Sequence, residues 1–164
     1  MDRVTDFDEW YRALYPKLHT SIRVACGSTD EADEVVAEAV ARASARWDRV
    51  RAMDNPDGWT YTVALNLVRR RARRRTRERE LVAVTAGGSS VTADQGATLR
   101  FTELVAPLPE RMRQVVVLRH VADLTEPMIA EVLGISRGTV SSTLRDAHAR
   151  LAEQLTAEAR EESP

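Results

Sequence analysis

The chain has 164 residues, with 24 Lys and Arg against 25 Asp and Glu for a net charge of −1. That length holds one domain or two small ones. A hydrophobic content of 43% supports a folded core, and 30% charged residues suits a soluble helical protein. Seven Gly and six Pro argue against a turn-rich β fold, and a single Cys excludes an internal disulfide. No apolar run is long enough to span a bilayer, and the acidic start DRVTDFDEW is unlike a signal peptide. These features place the protein in the cytoplasm.

The near-zero balance conceals an asymmetry. Residues 1–58 carry 12 acids and 8 bases, residues 59–79 carry 8 Arg and 1 Glu, and residues 80–164 carry 12 acids and 8 bases. A basic block between two mildly acidic segments points to one polyanion-binding surface.

Taken in order, the chain reads as helices. Phe7, Trp10, Tyr11, Leu14, Leu18 and Ile22 recur every three or four residues and predict a helix over Asp6–Ala25. Asp6 is its candidate cap, and Pro16 can break it into two pieces. Cys26 reads as a small buried apolar residue without chemistry. A second helix is expected over Thr29–Trp47, with Val35, Val36, Ala39, Val40, Ala43 and Trp47 inward. Asp33, Glu34, Glu38 and Arg42 lie mostly outside that stripe. They form either a solvated face, with Glu38 and Arg42 as an i,i+4 pair, or a docking face for a basic partner.

Asp48–Gly58 reads as a loop, and Asn55-Pro56-Asp57-Gly58 as a turn. A third helix is expected from Trp59 to Arg77, with Val63, Ala64, Leu67 and Val68 inward. Its far half carries Arg69, Arg70, Arg71, Arg73, Arg74, Arg75 and Arg77. Such a row repels itself, and becomes favourable against phosphates, where released counterions supply affinity; a solvated helix end or a polybasic membrane or localisation patch is the competing reading. Asn66 is a polar residue on an otherwise apolar stretch, able to hydrogen-bond a base edge. Residues 81–97 lose charge and gain Gly, Ser and Thr, as a flexible linker does. Short helices follow over Thr98–Val105 and Glu110–Val121, the latter with Met112, Val115, Val116, Leu118 and Val121 apolar.

Leu124–Leu155 reads as helix, tight turn and helix. Thr125 caps the first helix, and Pro127 sits in its first turn. Met128, Ile129, Val132 and Leu133 form its stripe, Gly134 makes the turn, and Ser136 caps the second helix. Ala130 and Val140 fall where a DNA-binding helix-turn-helix needs a small residue and a core aliphatic. The second helix then presents Arg137, Ser141, Ser142, Thr143, Arg145 and His148 to a major groove. An ordinary αα-hairpin is the competing reading. Ala157–Pro164 is expected to fray. No phosphate loop, zinc set or nucleophile–base arrangement is present, so neither enzyme activity nor a cofactor is expected.

The order of parts is more informative than any one of them. An acidic-faced helix, an Asn-Pro loop, a W-x-Y-x-x-A-x-N helix ending in Arg, a linker and a helix-turn-helix follow one another. The pieces EADEVVAEAVARA, NPDGWTYTVALNLVRRR and LPERMRQVVVLRHVADLTEPMIAEVLGISRGTVSSTL resemble the extracytoplasmic-function (group 4) sigma factors of bacterial RNA polymerase. The resemblance covers nearly the whole chain. It implies an all-α protein of two small helical domains: region 2 over 1–79, a flexible linker over 80–97, and region 4 over 98–164.

The resemblance also implies roles. Asp33, Glu34 and Glu38 would dock on the β′ clamp helices of core RNA polymerase. Asn55, Trp59, Thr62, Asn66, Arg69, Arg70 and Arg73 would hold the melted −10 strand, with the Arg69–Arg77 row gripping phosphates. Region 4 would sit on the β flap and place Arg137, Ser141, Ser142, Thr143, Arg145 and His148 at the −35 element of promoter DNA. An anti-sigma factor is implied as regulator. The sequence departs from the family at Ala37, where Gln is frequent, and at Thr62, where a basic residue is usual. Ser141, Thr143, Asp146 and His148 stand where the family often has Lys or Arg. Two other readings stay open here: a stand-alone helix-turn-helix regulator, and a sigma-like protein that binds polymerase without initiating.

Overall fold

The computed structural model describes residues 6–81 and 96–161. The chain divides into two compact units between Thr92 and Ala93. Among the described residues each unit is built of α-helices joined by short turns, with no strand. Most of the expected linker, 80–97, lies outside them.

In the first unit, α1 spans Phe7–Cys26, α2 spans Thr29–Ser44, α3 is the single turn Trp47–Val50, and α4 spans Pro56–Leu81. Asp6 caps α1 as expected, its Oδ1 accepting from the Asp8 amide at 3.0 Å, and Gly27 closes it in the left-handed region at φ 70°. Pro16 does not break α1. A proline inside a helix forfeits a backbone bond and costs about 3 kcal/mol. Leu14, Leu18 and Ile22 flank it and are buried, and each returns about 1.5–3 kcal/mol. Packing therefore outweighs the missing bond.

The second helix is shorter than its periodicity implies. It ends at Ser44, and Arg46 takes the non-helical angles φ −129°, ψ 27°. This break directs Trp47 against Phe7 and Trp10, with ring centroids 5.2 and 4.9 Å apart. Ala32, Val35, Val36, Ala39 and Ala43 are buried, whereas Val40 is only half-buried. Small residues on three of those five positions allow α1 and α4 to approach α2 closely.

Asn55-Pro56-Asp57-Gly58 is a helix start and not a turn. Asn55 is the cap, its Oδ1 accepting from the Gly58 amide at 2.8 Å, and Pro56 takes the first helical position, where a missing N–H is harmless. A Cβ on Gly58 would lie 2.0 Å from Asn55 Nδ2, so the cap requires glycine there. Thr60, Tyr61 and Leu65, within the expected helix but not on its expected inner face, lie in the core beside Ala64, Leu67 and Val68. Val63 is half-buried. Trp10 Nε1 donates to Asp57 Oδ1 at 2.7 Å and ties α1 to this first turn.

The second unit holds α5 (Gly96–Val105), α6 (Glu110–His120), α7 (Glu126–Leu133) and α8 (Arg137–Glu161). Four consecutive residues of α6, Val115–Leu118, are buried because the helix packs on both α7 and α8. Asp123 takes φ 59° in the α6–α7 turn, a conformation that Asp tolerates better than most residues. Ile129, Val132 and Leu133 are buried on α7, with Met128 half-buried, and Val140, Leu144 and Ala147 are buried on α8. Thr125 occupies the cap position of α7 without a side-chain cap bond. Ser136 caps α8, its Oγ accepting from the Thr139 amide at 3.0 Å. The segment expected to fray continues α8 through Glu161, since Ala, Glu and Arg are strong helix formers.

Gly134 closes α7 at φ 64° with nothing within 4 Å of the place a Cβ would occupy. The cost of a side chain there is therefore conformational alone. Gly134→Ala is expected to lower the stability of the second unit by about 1 kcal/mol in denaturant titrations.

Candidate nucleic-acid interface

The arginine row of α4 separates into two sets. Arg71 and Arg75 continue the inward stripe of Ala64, Leu65 and Val68 and meet α2. Arg71 Nη1 lies 2.7 Å from Glu34 Oε2 and its Nη2 lies 3.5 Å from Glu38 Oε2. Arg75 pairs with Glu31. Arg74 Nε reaches Glu78 Oε1 at 2.7 Å along the same helix. Arg70 and Arg73 are exposed and have no side-chain partner among the described residues. Within the expected phosphate-gripping row Arg69–Arg77, Arg71 and Arg75 are therefore set apart from Arg70 and Arg73 by their pairing with carboxylates of α2.

The expected −10 residues lie along one length of α4 and its cap. Asn66 is exposed, and its Oδ1 accepts from Arg69 Nη1 at 3.2 Å, which leaves its amide hydrogens free to donate. Thr62 is half-buried, and its hydroxyl donates to the Gly58 carbonyl at 2.8 Å. Trp59 is half-buried. Asn55 spends its oxygen on the cap, while its buried Nδ2 has no partner among the described residues. Nearby, the buried Trp47 Nε1 is also unpartnered. Unpaired buried donors are costly, and they are groups a ligand can satisfy.

The expected docking carboxylates share the exposed edge of α2. Asp33 bonds His19 Nε2 at 2.7 Å. Glu38 pairs with Arg42 at 2.6 Å, as the i,i+4 spacing predicts, and also faces Arg71. Exposed pairs of this kind contribute about 0–1 kcal/mol each, so a partner can exchange with them at small cost.

On α8, Arg137, Ser141, Arg145 and His148 are exposed, and Ser142 and Thr143 are half-buried. Glu126 of α7 touches two of them. Its Oε2 accepts from Ser141 Oγ at 2.5 Å and lies 3.7 Å from Arg137 Nε. His148 Nε2 lies 3.0 Å from His120 Nε2 at the end of α6. Burial, then His148 and Arg119, hold His120 below the usual imidazole range. The contacts of Glu126, Arg71 and His120 were not legible, because their partners stand 11 to 15, 33 to 37 and 28 residues away in the chain.

Comparison with known proteins agrees with this division. Residues 10–78 match the family described as Sigma-70 region 2, and residues 104–153 match Sigma-70, region 4. The RNA polymerase sigma-E factor of Streptomyces coelicolor is 30% identical over 164 residues, covering 96% of this chain and 90% of that protein. The ECF RNA polymerase sigma factor EcfG of Rhodopseudomonas palustris is 30% identical, covering 87% and 81%. Two solved structures share the fold. The sigma factor RpoE of Bartonella quintana, in complex with the anti-sigma factor NepR, has a TM-score of 0.80 at 22% identity, covering 93% of this chain and 98% of that one. CnrH, in complex with the cytosolic domain of CnrY, has a TM-score of 0.64 at 23% identity, covering 92% and 88%.

Both regions of a sigma-70 protein are therefore present in order on one chain. The chain belongs to the extracytoplasmic-function sigma factors of bacterial RNA polymerase. It directs promoter recognition and transcription initiation, with region 2 serving core polymerase and the −10 element and region 4 the −35 element. Among the described residues no helix is long and apolar enough to cross a membrane.

Cys26 stands apart from both interfaces. Burial first, and then Glu31, push its thiol up to about 12, against the opposing pull of Arg75 and Arg71. Alkylation proceeds through the thiolate. In the folded protein Cys26 is expected to react with iodoacetamide at pH 8 at least 100-fold more slowly than an unfolded-chain thiol. The rate should rise as pH climbs toward 12, as mass spectrometry of timed samples would record.

Proposed function

We propose that the two units divide the work of promoter opening residue by residue. Asp33, Glu34 and Glu38 dock on the clamp helices of the polymerase β′ subunit. Asn55, Trp59, Thr62 and Asn66 hold flipped bases of the −10 strand, and Arg69, Arg70 and Arg73 follow its phosphates. Unstacking a base costs a few kcal/mol. A basic, preformed surface offsets that cost by binding the displaced strand. Arg137, Ser141, Ser142, Thr143, Arg145 and His148 face the −35 element, with region 4 resting on the β flap.

The domain limits proposed are 1–79 for region 2, 80–97 for the linker and 98–164 for region 4. The protein acts as a non-catalytic subunit in the cytoplasm. An anti-sigma factor is its proposed regulator, because RpoE in a solved structure of the same fold is bound by the anti-sigma factor NepR.

The observation that carries this reading is the partition of α4. Its inward arginines are paired with α2, while Arg70 and Arg73 extend the exposed line begun by Asn66. The experiment is co-purification with bacterial core polymerase, followed by sequencing of transcripts started in vitro on genomic DNA. Stable binding with starts at a shared two-part motif is expected. No binding, with specific duplex binding by the free protein, would reject it.

Two substitutions refine the assignment. Replacing Arg70 and Arg73 with Ala should weaken binding of the holoenzyme to a −10 single strand and flatten the salt dependence, by about 1.4 in the log–log slope. Arg71→Ala should leave that slope unchanged, since its charge is held by Glu34. Asn66→Ala should alter −10 base choice in run-off assays while leaving polymerase affinity as it was. An unchanged base preference would remove Asn66 from the reading set.

A further inference from the structure

Glu126 opens α7, outside the recognition helix, yet it controls a hydroxyl on that helix. In the 2.5 Å contact between them Ser141 Oγ is the donor and Glu126 Oε2 the acceptor. A serine hydroxyl carries one proton and two lone pairs. With the proton committed to Glu126, Ser141 faces outward with acceptors only. Ser142 is set the same way, because its Oγ donates to the Thr139 carbonyl at 3.1 Å.

This matters in a major groove. A free serine can accept from an amino group or donate to a ring nitrogen or carbonyl, and so tolerates every base. A serine fixed as an acceptor can pair with the amino group of cytosine or adenine. Against guanine O6 or N7, or thymine O4, it sets lone pair against lone pair. We propose that Glu126 is a specificity-determining positioning residue of the −35 contact, which fixes Ser141 as an acceptor and makes the recognition helix favour cytosine or adenine at the base Ser141 faces. This rests on the reading of α8 as the recognition helix.

Glu126 has a second effect with a different signature. Its negative charge beside the groove repels phosphate whatever the sequence, and its attraction holds the Arg137 guanidinium at 3.7 Å. Removing the carboxylate should therefore raise binding evenly across all sites and, separately, flatten the preference at one position. A structural role would alter neither base preference nor its position.

The test uses the full chain assembled with bacterial core polymerase. Templates carry a randomised −35 segment, and the transcripts are sequenced. Wild type should enrich cytosine or adenine about fivefold at one position, the worth of one net hydrogen bond. Ser141→Ala should abolish that preference. Glu126→Ala, which removes the acceptor, should reduce it to below about twofold at the same position, with total yield unchanged or higher, while Glu126→Gln, whose carbonyl oxygen can still accept from Ser141, should retain part of it. Glu126→Gln keeps the side-chain shape, and an unaltered melting curve will show that the fold is intact. Retention of the full preference in Glu126→Ala overturns the proposal, as does wild-type enrichment of guanine or thymine at the Ser141 position. If Ser141→Ala changes no position, the proposal also falls. If Arg137→Ala changes none either, the recognition-helix reading falls with it.

Discussion

Seven arginines within nine positions of one α-helix cannot share a face, because each residue turns the helix by about 100°. That geometric constraint organises the first unit. The half of α4 near its cap buries Tyr61, Ala64, Leu65 and Val68 against α1 and α2. Continuing the same turn, Arg71 and Arg75 must emerge on the inner side, and there α2 offers Glu31, Glu34 and Glu38. The remaining arginines are turned outward in line with Asn66. A helix that would repel itself in isolation is thus divided into struts toward its own domain and a basic edge toward solvent.

The acidic edge of α2 and the basic edge of α4 consequently share a boundary. Glu34 and Glu38 belong to the proposed polymerase contact and at the same time hold Arg71. The pairs are exposed, and each is weak enough to rearrange when a basic partner arrives. The proposed docking and DNA-contact residues are therefore neighbours on one three-helix core, positioned by the Asn55 cap and the Trp10–Asp57 bond that set where α4 begins.

The second unit solves a different problem with fewer charges. Its proposed recognition helix, α8, offers Arg137, Arg145 and a set of hydroxyls. Hydroxyls are ambiguous readers unless something fixes their proton. Here Glu126 and the Thr139 carbonyl do so for Ser141 and Ser142. In the proposed −35 contact, selectivity would come from the orientation of these small groups, at some cost in the electrostatic attraction that arginines would supply.

Much of this was legible in the chain. Period-3.6 stripes marked α1, α2, α4, α6 and α7, because burying one face is a local requirement. Gly134, Ser136 and Val140 marked the helix-turn-helix, because turn and cap chemistry is written in single residues. Boundaries were less faithful. Pro16 and the Asn55–Gly58 stretch read as breaks, since local preference favours turns at both. Burial kept α1 continuous, and the same Asn-Pro pair serves equally well as cap and first residue of a helix. The C-terminal extension of α8 was written in its propensities and was outweighed in the reading by its charge.

By itself the sequence determined the helices, the two-part order, the basic block and the family that these define. Only the tertiary structure decided which arginines are committed to α2, that Trp47 leaves its helix to join Phe7 and Trp10, and that Glu126 governs Ser141. The reason is physical. Periodicity, caps and composition depend on neighbours within a turn or two of the chain. The partner of a charge or a hydroxyl depends on which helices the core brings together, and that is settled only when the whole unit packs.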